Sequence, residues 1–149
     1  MGYVARAGGL PADARISHPF TPYDDNGFTV PVHDSGDVLA RFLVRAEEID
    51  VSLSLIEHFA EGLSAPMTVL PPPPPGTGPR TGVGLVEGWR GTITTRVELA
   101  LDATLTRVKP VDPSFFNWPA LPVALTDTIV PDFPLTNKSF NLSYAGNDL

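Results

Sequence analysis

One stretch of this sequence, Asp37 to Gly62, reads as a long amphipathic helix, and no other stretch is long enough to cover it. Apolar residues recur at Val38, Phe42, Ala46, Ile49, Leu53, Ile56 and Ala60, in steps of four and three. That spacing lays them along one helix face. Leu39, Leu43, Leu55 and Phe59 widen the stripe. Asp34 or Ser35 is placed to cap the first turn, and Gly62 to stop the last. At ~1.5 Å per residue the helix is ~36 Å long. A face that wide cannot be buried on itself and calls for other helices, which this chain hardly offers. A C-terminal piece of a helical bundle reads this way.

The flanking segments are broken by proline. Residues 1–35 carry Pro11, Pro19, Pro22 and Pro31 and are expected to be irregular, draped over something larger. Residues 63–82 hold the unbroken run Pro71 to Pro75, followed by Gly76, Thr77, Gly78 and Pro79. This predicts a stiff polyproline spacer and then a flexible joint. Residues 83–149 are the β region and tail. Val83 to Glu87 can form a first strand, and Gly88 to Gly91 a break. Thr92 to Leu99 alternates with period two, and Thr104 to Lys109 returns as its antiparallel partner across Leu101-Asp102-Ala103. Pro110 and Pro113 are expected to end the pairing. The tail is proline-punctuated and aromatic, with short helical turns expected at Pro119 and near Asp132. The whole is one domain of α+β class: a long helix, an antiparallel hairpin and an irregular aromatic tail.

Composition excludes several chemistries. The chain has no cysteine, so disulfides, thiolate metal sites and cysteine nucleophiles are out. Net charge is −7 with no basic run, which argues against nucleic acid as a partner. Charged residues make up 18% of the chain, below the usual ~25%, so part of the surface is expected to meet other protein. No segment nears ~20 continuous apolar residues, so no direct membrane span is expected. No secretory leader is visible in Met1 to Ala7. The expected location is cytoplasmic, with attachment to the inner membrane face open only through other subunits.

Local motifs for catalysis are missing. His18, His33 and His58 have no ligand spacing, and His58 reads more simply as a cation near a helix C-terminus. Asp24-Asp25-Asn26-Gly27 opens like a calcium loop but lacks its glutamate and reads as a turn. Gly82-Val83-Gly84 does not complete a dinucleotide fingerprint. No nucleophile elbow is present.

Five segments carry a resemblance. Gly2-Tyr3-Val4-Ala5-Arg6-Ala7 is similar to a G-x-V-A-R-A segment. Gly36-Asp37-Val38 with Arg41, Arg45 and Glu47-Glu48 is similar to a G-D-x-x-A-R-x-x-x-R-x-E-E helix. Glu87-Gly88-Trp89-Arg90-Gly91 resembles E-A-P-R-G, and Ser114-Phe115-Phe116-Asn117-Trp118 resembles P-S-F-x-N-W. Asp132-Phe133-Pro134-Leu135, then Ser139-Phe140-Asn141-Leu142-Ser143-Tyr144-Ala145-Gly146, resembles the closing signature D-x-P-L…S-F-D-P-C-x-x-C. In this order they resemble the C-terminal part of the superfamily formed by the nickel-iron hydrogenase large subunits and the 49-kDa subunit of NADH-quinone oxidoreductase. The nearest branch is that of the hydrogenase-4 and formate hydrogenlyase large subunits. The internal character of the first segment implies that Met1 lies inside a longer polypeptide.

The resemblance carries expectations about chemistry. The two thiolate positions are filled here by Ser143 and Gly146. A hydroxyl is a poor ligand for soft metals and glycine supplies none, so nickel-iron is not expected to be held. Arg90 matches the arginine that leans over the metals in hydrogenases, with Trp89 in place of proline and Thr92 where many relatives carry glutamate. Arg90 and Tyr144 are candidates to line the former metal cavity or a quinone cavity, and Arg90 reads otherwise as a surface or carboxylate-paired arginine. Ser143 and Asn147 read otherwise as braces of a terminal turn. No cofactor is expected on this chain. The family uses nickel-iron, or quinone with NADH and iron-sulfur clusters on other subunits. The implied partners are the rest of the large subunit, a small iron-sulfur subunit and membrane subunits. The expected role is structural, within a complex passing electrons from NADH, formate or a similar donor toward quinone or protons. A stand-alone assembly or binding protein derived from the fold is the alternative.

Overall fold

A computed structural model describes residues 1–20, 23, 27–63 and 78–148. The proline run at 71–75, Gly76 and Thr77 lie outside the described residues, as do Pro22 and positions 24–26 of the expected Asp-Asp-Asn-Gly turn. The long helix is present as α3, Val38–Glu61, 24 residues. Its cap is Asp37 itself, not Asp34 or Ser35: one Asp37 carboxylate oxygen accepts from the Ala40 amide at 2.7 Å. That bond satisfies one of the donors the first turn leaves free. Gly62 ends the helix, in right-handed rather than left-handed geometry.

The opening segment is not wholly irregular. Two short helices form, α1 (Gly2–Ala7) and α2 (Ala14–Ser17). Six and four residues are too few to be stable alone, and tertiary burial sustains them. Tyr3 and Ala7 of α1 pack on Ala40 and Val44 of α3 as one small core.

The β region has one more strand than a hairpin. β1 (Arg80–Gly88), β2 (Gly91–Leu99) and β3 (Leu105–Val111) form an antiparallel meander in that order. β1 begins inside the segment read as linker, because Arg80, Thr81 and Gly82 continue the ladder opposite Leu99, Glu98 and Val97. Gly88 pairs with Gly91, leaving Trp89-Arg90 as the turn. Pro110 does not end β3: it stands opposite Thr95, with Val111 beyond it. An edge strand tolerates this, since an edge has ladder positions that need no donor. The Leu101-Asp102-Ala103 turn forms without glycine by placing Ala103 at φ 65, and Asp102 accepts from the Thr104 amide at 3.0 Å.

Three helices follow: α4 (Pro113–Asn117), α5 (Ala120–Ala124) and α6 (Phe133–Phe140), with short 3-10 turns at Val130–Asp132 and Ala145–Asp148. Proline sits in the first turn of α4 and of α6, where its missing N–H costs nothing. Leu121, Phe140 and Leu142 make a second small core, and Val4 touches both cores. The architecture is α+β.

Candidate functional site

The matched segments are far apart in sequence and meet in space. Gly2 and Gly91 are the first such pair. A Cβ on Gly2 would lie 2.5 Å from the Gly91 Cα. Gly91, at φ 131, leaves room for the Gly2 amide and for Pro113. The start of α1 therefore crosses directly over the β1–β2 turn, an approach only two bare backbones permit.

Behind that crossing lies a buried charge cluster. Arg6 is 2% exposed. Its Nη1 donates to Asp13 Oδ2 at 2.8 Å, and its Nη2 to Glu48 Oε2 at 3.4 Å. Glu87 Oε1 stands 3.8 Å from Arg6 Nη1. Arg15 donates to both Asp13 oxygens, at 2.9 and 2.7 Å, and also to Glu48. Glu87 Oε2 accepts from the Ala14 amide at 3.0 Å and from the Thr92 hydroxyl at 2.9 Å. α1, α2, α3 and β1 are thus tied at one point. Burial works against the Arg15 charge, but the hydrogen bonds to Asp13 and Glu48 outweigh it and raise its pKa. Burial raises the Glu87 pKa, the Ala14 amide opposes this, and the neighbouring Asp13 charge adds to it. Two guanidiniums face three carboxylates, and among the described residues Glu87 Oε1 and Arg6 Nε have no hydrogen-bond partner.

Arg41 and Arg45 join α3 to α6. The Arg41 guanidinium is buried. Its Nε donates to Ser139 Oγ at 2.8 Å, its Nη1 to the Gly36 carbonyl at 2.7 Å, and its plane lies 4.1 Å from the Phe140 ring centre. Arg45 donates to the Ser139 carbonyl at 3.1 Å and covers the rings of Tyr3 and Trp89. Those rings stack at 5.3 Å. Burial pushes the Tyr3 hydroxyl up to about 12, opposed by Arg45, Arg90 and Arg41.

The remaining candidates sit in and around the C-terminal loop. Arg90 is a brace: its Nε donates to the Asn141 carbonyl at 2.6 Å, and its guanidinium lies over Trp89. It is paired with a carbonyl, neither free nor carboxylate-bound. The Asn117 side chain holds the same turn, donating to the Arg90 carbonyl at 3.1 Å. Ser143 donates its amide to the buried Ser114 hydroxyl at 3.0 Å, and its own Oγ accepts from the Gly146 amide at 2.9 Å. A Cβ on Gly146 would fall 2.5 Å from Asp112 Cγ, so the Asp112 side chain fills the space beside that position. Tyr144 is 70% exposed. It leans on Trp118 and accepts from Asn137 at 3.3 Å. Arg90 and Tyr144 both engage the 137–144 region, through Asn141 and Asn137 respectively. His33 pairs with Glu47 at 3.1 Å. Among the described residues no three of His, Asp and Glu are grouped to hold a metal.

Sequence reasoning names Arg90, Ser143, Gly146 and Tyr144 as candidates. It misses Asp13, Arg15, Asp112 and the Gly2–Gly91 crossing. The signal that points to the cluster is the motif set itself, since Arg6, Glu48 and Glu87 all fall within matched segments.

Comparison with known proteins agrees with this arrangement. The family model for the respiratory-chain NADH dehydrogenase 49 Kd subunit matches residues 1–73. A subunit of the NADH-quinone oxidoreductase of Flavobacterium johnsoniae is 45% identical over 60 residues, covering 40% of this chain and 15% of that protein. The carbon monoxide-induced hydrogenase of Rhodospirillum rubrum is 30% identical over 142 residues, covering 95% of this chain and 39% of that protein. A chain from the membrane-bound sulfane sulfur reductase, an archaeal respiratory membrane complex, superposes with a TM-score of 0.84 at 28% identity, covering 100% of this chain and 42% of that one. The chain spans less than half the length of these relatives. In sequence and in fold the chain resembles the superfamily of the NADH-quinone oxidoreductase 49-kDa subunit and the hydrogenase large subunits.

Proposed function

We propose that this chain is an architectural part of the large subunit of a hydrogenase-4-like or complex-I-like oxidoreductase, and that it holds no nickel-iron centre. The parent complex would pass electrons from NADH or a similar donor toward quinone. A small iron-sulfur subunit and membrane subunits would be its partners, and NADH would bind elsewhere in the complex. The observation that carries this reading is the state of positions 143 and 146. The Ser143 hydroxyl closes a terminal turn, and the space beside Gly146 holds the Asp112 carboxylate. A nickel-iron pair needs soft thiolate donors, and the residues present do not fit it. Arg90, bonded to the Asn141 carbonyl, acts as a brace of that loop. Any quinone contact in the assembled complex falls on Tyr144, whose ring is open. No helix among the described residues is long and apolar enough to cross a membrane, so attachment would run through the partner subunits.

The test is purification of the complex from its own host through a tag on this chain. Recovery with a small iron-sulfur subunit and membrane subunits, without nickel, is the expected result. Recovery of the chain alone would favour a free-standing assembly role and sink the proposal. A quinone analogue carrying a photoreactive group should label Tyr144 in that complex and leave Arg90 unlabelled.

A further inference from the structure

The two edges of the sheet are unlike. Among the described residues β1 pairs only with β2, in unbroken register from Arg80 to Gly88. Its other side presents a row of backbone donors and acceptors, the template a further strand needs. The opposite edge, β3, is blunted. It carries Arg107, Lys109 and Pro110, and its register with β2 shifts at Glu98 and Leu99. β1 has none of these devices. Between Arg80 and Glu87 all six residues are uncharged and exposed. An edge that long and that bare is a site for another strand or a site of aggregation.

The turn sets which groups face outward. Gly88 and Gly91 close a two-residue hairpin, so they exchange hydrogen bonds and the alternation runs back along β1. The amides of Gly82, Gly84 and Val86 then point to β2, and those of Thr81, Val83 and Leu85 to the free edge. Gly82 and Gly84 share one face, opposite Val97 and Thr95, and a Cβ on either would meet nothing within 4 Å. A hollow of about 250 Å³ lies there, bounded by Arg80, Thr81, Gly82, Val97 and Leu99. Beside it the Arg80 Nε is buried and has no hydrogen-bond partner among the described residues. Glycine inside a strand weakens it, and marks a place where another backbone comes close. Bulky side chains of a neighbouring strand fill such a gap, and an acceptor at Arg80 satisfies its donor.

The reach of the sheet bears on whose strand this is. β1 is about 30 Å long at ~3.3 Å per residue, and it is tied down at one end, by Glu87 in the charge cluster and Gly88 opposite Gly91. Farther out both faces are open: Val83 and Leu85 are exposed on one, Val86 and Val108 on the other. A sheet that leaves its own body with both faces bare meets a neighbour. We propose that β1 accepts an extended segment of another subunit, paired along Thr81 to Leu85, with bulky apolar side chains at alternate positions over Gly82 and Gly84 and a carboxylate at Arg80. This rests on the large-subunit reading above.

Amide hydrogen exchange in the purified complex tests it, with the isolated chain as the open reference. The amides of Thr81, Val83 and Leu85 should exchange more slowly in the complex, by roughly tenfold or more. Val83→Pro removes the central outward donor and leaves the ladder to β2 in place, as β3 does around Pro110. Protection of Thr81 and Leu85 should then be lost, while Val83→Thr should keep it. A benzophenone side chain in place of Thr81 should cross-link to a peptide of another subunit that has large apolar residues two positions apart. Equal exchange in complex and isolated chain would overturn the inference and leave the large-subunit reading intact. So would protection that survives Val83→Pro, or cross-links to the rest of the large subunit, to a second copy of this chain or to lipid. Failure to recover the chain in any complex would remove both. If Val83→Pro blocks assembly, the wild-type exchange and the cross-link from position 81 still decide.

Discussion

At the scale of single residues, much of what the motifs specify is space. Gly91 sits at φ 131, with the Gly2 amide nitrogen 3.0 Å from where a Cβ would stand. Gly91→Ala should therefore lower stability by about 2 kcal/mol or more, combining overpacking with a backbone region closed to L-residues. Urea denaturation of the purified chain would read it. Gly146→Ala should also destabilise, by about 1–3 kcal/mol, because it displaces Asp112. The Asp112 carboxylate caps α4 through the Ser114 amide at 2.6 Å, so the loss should shrink when Asp112→Gly is already present. Glu87 makes the prediction in pH. Burial raises its folded pKa above the ordinary glutamate value, so the folded state favours the protonated form. Its contribution is fully present below the ordinary glutamate range and is lost as pH rises through the raised value. Relative to wild type, Glu87→Gln should gain stability as pH rises above that range, and a pH series of denaturation curves that stays parallel would contradict it.

At the scale of elements, α3 is legible in the sequence because its determinants are local: an aspartate at one end, a glycine at the other and a regular apolar spacing between. Asp37→Ala should cost about 1 kcal/mol through the lost cap. The Ala40 amide holds the Asp37 carboxyl below its ordinary value. The cap's contribution is therefore present above the usual aspartate range and is lost as pH falls through the lowered value. A thermal melt at neutral pH should separate the two proteins more than one in acid. Short α1 is not legible, because burial of Tyr3 and Ala7 against a helix more than thirty positions away sustains it. The start of β1 is hidden by the proline- and glycine-rich approach to it, so the spacing finds the strand only from Val83. Pro110 misleads for a related reason: whether proline stops a strand depends on its being at an edge, and edges are set by topology. The charge cluster escapes because its partners stand 7, 42 and 73 residues apart, and no local spacing encodes that. Arg41 also shows what spacing omits. Its fork spans Ser139, the Gly36 carbonyl and the Phe140 ring. Arg41→Lys should loosen α6 despite keeping the charge, visible as faster hydrogen exchange in residues 133–140.

At the scale of the molecule, the described residues form two small cores and leave Phe42, Ile49, Leu53 and Ile56 of α3 exposed. All of this chain superposes on 42% of a larger chain from a respiratory membrane complex, and its C-terminal loop carries Ser143 and Gly146 at the positions that the resemblance aligns with thiolates. We propose that the chain keeps this architecture without the metal. Quantifying nickel in the complex purified through a tag on this chain tests that most directly. The account predicts recovery with the partner subunits and no nickel above background. One nickel per chain would contradict it.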